Sequence, residues 1–64
     1  MKAKDKERFF QIYANLPFNI RNGEIIAVVD GEPFTWNAAR LEVENNTKKG
    51  EEILGKLIKL KIIK

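Results

Sequence analysis

Residues 24–36 read EIIAVVDGEPFTW, and how this stretch folds decides the architecture of the chain. Four strand formers, Ile25, Ile26, Val28 and Val29, run into Asp30-Gly31, and a second extended segment follows. A type I′ turn needs positive φ at both central residues, which Asp-Gly tolerates, and its twist matches that of the strands it joins. The stretch predicts a β-hairpin. Pro33 has no backbone N–H to give to a ladder, so the second arm, residues 32–35, is short or lies at a sheet edge.

Two helical patterns follow the hairpin. Thr35 is placed as an N-cap for residues 36–45, and Trp36, Ala39 and Val43 share one helical stripe. Ala39, Leu41 and Val43 also alternate with Arg40, Glu42 and Glu44, the pattern of a half-buried strand. The strong helix formers in Ala-Ala-Arg-Leu-Glu decide for helix, with Leu41 free to pack on a second element. Asn45-Asn46-Thr47 breaks that pattern, and Thr47 is positioned to cap another helix from Lys48. There Ile53, Leu54, Leu57, Ile58 and Leu60 fall within an arc of about 160°, with Gly50 inside it. A glycine on that arc lets the helix approach its neighbour closely. Continuing the wheel puts Lys61 in the middle of the apolar arc, so the helix is expected to end near Leu60. Residues 61–64 then run on as an apolar tail against the core or a partner.

The N-terminal part is less regular. Residues 1–7, MKAKDKE, carry little to bury and are expected as a disordered tail. Residues 8–14, RFFQIYA, are rich in aromatic and β-branched side chains and are expected as a strand. Residues 15–23 hold Pro17 and Asn22-Gly23 and predict a wide loop. Its apolar residues Leu16, Phe18 and Ile20 either tuck beneath it, the favoured reading, or form an exposed lip. The expected fold class is α+β: a small antiparallel sheet of two to three strands with the hairpin around Asp30-Gly31, followed by two C-terminal helices packed on one face. Residues 8–64 form one domain.

Size limits what such a domain can do. At 64 residues a single core only just offsets chain entropy. With Cys 0 and His 0 there is neither a disulfide framework nor a thiolate or imidazole for zinc. Idealised packing or self-association are the remaining sources of help, which brings a homodimer into view. The longest apolar run, residues 25–29, is far below the roughly 20 residues of a membrane span, and no apolar signal core opens the chain. No membrane association is expected, and a cytoplasmic location follows by default.

Catalytic chemistry has few candidates. Without His, Cys or Ser the usual nucleophile and base pairs cannot be assembled. Thr35 and Thr47 both precede helical patterns and read as caps. Asp30 and Glu32 flank a turn and supply far fewer oxygens than the roughly six to eight calcium takes. Glu42 and Glu44 diverge on a helix by about 200°, and Glu51 and Glu52 suit the positive end of the last helix dipole. None of the glycines lies in a phosphate-binding loop. No catalytic residue, metal site or small-molecule cofactor is expected.

Two binding functions remain. The first is a non-enzymatic protein–protein interaction or self-associating domain, with Phe9, Trp36, Ile62 and Ile63 as interface candidates. Trp36 either joins the hairpin to the helices as core or stands exposed as an interface anchor, a role tryptophan takes disproportionately. The alternative is a small nucleic-acid-binding domain, motivated by a pI near 9.4 and a net charge of +3 from 12 Lys+Arg against 9 Asp+Glu. Its contacts would be Arg8, Lys48, Lys49, Lys56 and Lys59. The simpler reading of the lysines is a solvent face in which Glu52 pairs with Lys48 and Lys56.

Overall fold

The hairpin folds as its sequence dictates. In a computed structural model that describes residues 2–63, β1 (Ile25–Val29) and β2 (Glu32–Thr35) pair antiparallel. Asp30 has φ 53° and Gly31 φ 78°, the two positive values a type I′ turn requires. The pair that closes such a turn exchanges hydrogen bonds and the next does not. That next pair is Val28 with Pro33, so the missing proline N–H interrupts nothing. A register shift between Ile25 and Ala27 turns both Ile26 and Ala27 inward, while Ile25 and Val28 stay exposed.

Each C-terminal helix starts on a threonine. Thr35 Oγ1 accepts from the Ala38 N–H at 3.2 Å and opens α3 (Trp36–Glu44). Thr47 Oγ1 accepts from the Gly50 N–H at 3.0 Å and opens α4 (Lys48–Lys59). The strand alternative for residues 39–44 is thereby set aside. Trp36, Ala39 and Val43 form the buried stripe, and Leu41, a quarter-turn or more away from it, is half exposed.

Both helices end in the same way. Asn46 adopts φ 56°, its N–H bonds to the Val43 carbonyl, and the Thr47 N–H reaches back to Glu42. Lys61 adopts φ 61°, its N–H bonds to Ile58, and the Ile62 N–H reaches back to Leu57. These are Schellman closures. The second one stops α4 where the apolar arc demands it and turns Ile63 into the core, where it is 2% exposed. Lys64, the last residue of the expected tail, lies outside the described residues.

The N-terminal part departs from expectation. Residues 8–14 are not a strand but the second half of α1 (Ala3–Ala14). On a helix Phe9, Ile12, Tyr13 and Leu16 fall on one stripe, and all four pack into or against the core. Residues 3–7, expected as a disordered tail, form its first turns; Met1 lies outside the described residues. Asp5 sits in the first turn, where the helix dipole favours a carboxylate. Lys6 Nζ donates to Asn46 Oδ1 at 2.8 Å and so ties α1 to the turn between α3 and α4.

Within residues 15–23, Phe18–Gly23 form the short helix α2 rather than a loop. Leu16 and Ile20 pack against the core, whereas Phe18 is 75% exposed. Arg21 closes the end of α1, its Nε donating to the Tyr13 carbonyl and its Nη2 to that of Ala14, both at 3.2 Å. The architecture is thus a two-stranded hairpin with helices, an α+β domain.

The core draws on every part of the chain except α2: Phe9, Ile26, Ala27, Val29, Phe34, Trp36, Ala39, Val43, Ile53, Leu54, Leu57 and Ile63 are its buried members. Gly50 sets how tightly α3 and α4 meet. A Cβ there would stand 2.5 Å from the Glu42 carbonyl oxygen and 2.7 Å from its carbon. Those are backbone atoms that cannot step aside alone. Gly50→Ala is therefore expected to destabilise by about 1–3 kcal/mol, despite a gain in helix propensity of about 1 kcal/mol. Lys61→Gly relieves a left-handed residue and is expected to stabilise by about 0.5–1 kcal/mol. Urea unfolding of the two variants beside the wild type measures both signs.

Candidate functional site

Three of the four interface candidates are core. Phe9 is fully buried, with its ring centroid 5.7 Å from that of Trp36, 5.5 Å from Phe10 in an edge-on pair and 6.5 Å from Tyr13. Trp36 joins the hairpin to α1 and α3, and its Nε1 is buried without a hydrogen-bond partner. Ile63 is buried as well. Only Ile62, 43% exposed, presents an apolar surface.

The five cation candidates do not converge. Lys49 Nζ is 2.8 Å from Glu32 Oε1 and lies over the Phe34 ring. Lys56 Nζ donates to the Val28 carbonyl, at the hairpin edge that β2 leaves free. Both lysines lean toward the hairpin. Lys48 and Lys59 point to solvent on the opposite side of α4 from its buried residues, and Arg8 belongs to another surface. Among the described residues Glu52 pairs with neither Lys48 nor Lys56, and Lys56 is engaged by the hairpin instead.

That other surface is the seam between α1 and α4. Lys2 and Asp5 face Glu51, Leu54, Gly55 and Ile58 across one open groove, and Arg8, Gln11 and Ile12 face Ile62 across a second. Asp5, Arg8 and Ile12 lie on one face of α1, and Glu51, Gly55 and Ile58, with Ile62 just beyond the helix, follow the corresponding face of α4. The two grooves follow one another along α1. The floor is apolar and the rim carries both signs of charge. Ile58 is 39% exposed, and a Cβ on Gly55 would meet nothing within 4 Å.

A second polar cluster joins α1, α2 and α3. The Tyr13 hydroxyl donates to Asn37 Oδ1, and Asn37 Nδ2 donates to Asn22 Oδ1. Arg21 and Arg40 lie over the Tyr13 ring at 4.4 and 5.7 Å. Arg21 is occupied by the end of α1, and Arg40 is paired with Glu44 at 2.7 Å. These groups satisfy one another and hold the helices together rather than await a ligand.

Among the described residues no group of three or more His, Cys, Asp and Glu side chains is placed to hold a metal ion, and no helix is long and apolar enough to cross a membrane. The chain matches no family model, no curated protein and no solved structure.

The seam was hidden from sequence reading because half of it belongs to α1, read as a strand. One signal pointed to it. Gly55 interrupts an otherwise strong helix former pattern, at a cost of about 1 kcal/mol, and no contact inside the chain accounts for it.

The Lys49–Glu32 pair yields a pH test. The hydrogen bond that Lys49 donates to the Glu32 carboxylate, and then the charge of that carboxylate, raise the Lys49 pKa above its ordinary 10.5. A raised pKa gives stability that is present below the unfolded value and lost as pH climbs through the folded one. The stability difference between the wild type and Glu32→Gln should be constant from about pH 6 to about pH 9 and should close as pH rises past 10.5, followed by urea midpoints.

Proposed function

We propose that the chain is a non-enzymatic protein-interaction domain that docks its partner on the α1–α4 seam. The observation that carries this reading is the line of exposed Ile58 and Ile62, facing half-buried Ile12, beside the open space over Gly55. A domain of this size has few apolar side chains to leave outside its core. A line of them bordered by Asp5, Arg8 and Glu51 has the form of an interface, an apolar centre within a polar rim.

Charge favours a protein over a nucleic acid. A helix that enters a groove of DNA presents its N-terminal residues to the bases, and on α4 those include Glu51 and Glu52. Of the five cations, Lys49 and Lys56 are already engaged within the domain. A cytoplasmic setting suits a chain without cysteine.

A photo-reactive amino acid at position 58 tests the docking face in cells. It should form a covalent adduct with a protein, whereas the same group at Leu41, which is also exposed but lies on α3, should not. Equal labelling at both positions, or none at position 58, overturns the assignment. A mixed-sequence oligonucleotide should show no salt-dependent binding; affinity that falls steeply as salt rises would favour the nucleic-acid reading instead.

A further inference from the structure

Viewed down α4 at about 100° per residue, Lys48, Glu51, Glu52, Gly55, Ile58 and Lys59 occupy an arc of about 120°, opposite buried Gly50, Ile53 and Leu57. Gly55 is at its centre. Glu52 lies three residues before it and Lys59 four after, about 4.5 and 6 Å along the axis, on the same flank. Ile58 lies on the other flank, toward α1. Among the described residues neither Glu52 nor Lys59 has an ion-pair partner.

We propose that this face pairs with itself: two copies of the chain associate through α4, antiparallel, crossing at Gly55 about a twofold axis. The proposal rests on the docking reading above and names its partner.

Charge complementarity selects this occupant and this direction. Antiparallel pairing about Gly55 sets Glu52 of one copy beside Lys59 of the other, and the twofold axis repeats the contact. Parallel pairing would put Glu52 and Lys59 of the two copies on opposite flanks of the seam, where neither meets a partner charge. The absent side chain at position 55 lets the two backbones approach at the crossing, the one place on α4 where an extra Cβ would have open space. Helical side chains lean toward the N-terminus, so Ile58 reaches back toward the crossing and meets the glycine of the other copy. One helix face and the adjoining rim of α1 form a small interface. The dimer is accordingly weak, with a Kd of about 10–100 µM.

Sedimentation equilibrium of the full chain in about 0.1 M salt, from about 10 µM to about 1 mM, should show a monomer–dimer equilibrium. Gly55→Gln fills the crossing without touching the domain's own packing, and should remain helical by circular dichroism but sediment as a monomer. Glu52→Lys and Lys59→Glu each place like charges twice across the axis and should weaken the dimer about tenfold. An equimolar mixture of these two variants should recover wild-type affinity, because in the mixed dimer both contacts are again between opposite charges. A role confined to one chain would not produce that recovery.

A wild type that stays monomeric throughout overturns the proposal, as does a dimer unchanged by Gly55→Gln or a mixture no tighter than its components. The cross-linking experiment separates this failure from that of the docking reading. A monomeric chain that labels a different protein from position 58 removes self-pairing alone, and a monomeric chain that labels nothing removes both.

Discussion

The close approach of α3 and α4 at Gly50 is the constraint on which the rest of the domain depends. A glycine in a helix lowers helix propensity, yet here it lets the first turn of α4 rest against the backbone of Glu42. Thr47 fixes the same corner from the other side. Its oxygen accepts from the Gly50 N–H, and its hydroxyl donates to the Glu42 carboxylate at 2.7 Å. With Asn46 left-handed between them, the two helices meet at one angle, and Val43, Ile53 and Leu57 are buried together. The hairpin can then pack on a preformed surface, which matters because two strands alone are marginal in water.

The two ends of the chain complete that surface. Phe9 enters from α1 and Ile63 from beyond α4, both essentially without exposure. Each arrives by a local device: α1 is tied down through Lys6 and Arg21, and the tail is turned inward by the left-handed Lys61. A core this small has no redundancy, and removing a buried aromatic such as Phe9 would cost about 3–5 kcal/mol, a large part of the stability a domain of this size holds. Bringing both ends to the same side also places α1 along α4. The seam is thus a consequence of how the core is closed.

What could be read from sequence was what short-range chemistry specifies. Asp30-Gly31 specifies a turn type, Thr35 and Thr47 specify helix starts, and Lys61 on an apolar arc specifies a stop. In each case the relevant groups lie within a few residues of one another. The segment around Phe9 and Tyr13 has no such marker. Its aromatic residues favour a strand by composition, and the helical spacing emerges only when Leu16 is included and residues 3–7 are counted as helix rather than tail. Phe9 and Trp36 were then ambiguous between core and interface, because burial depends on elements far away in sequence. The α1–α4 seam was out of reach for the same reason, since it joins residues 2–12 to residues 51–62.

The two glycines of α4 carry the remaining distinction between fold and function. They stand five residues apart, on opposite sides of one helix, and each lowers its propensity by a similar amount. Gly50 has a backbone against it, and so the fold accounts for it. Gly55 has open space over it and exposed isoleucine beside it, and the fold accounts for neither. Natural sequences are locally consistent where only stability is at stake, and departures gather where a surface has another use. Trp36 Nε1, buried without a partner, is a departure of a different kind, because it lies inside the core. Its cost of about 1–3 kcal/mol is offset by the burial of the indole ring against Phe9. Gly55 has no such offset within a single chain, which is why the proposed self-pairing is centred on it.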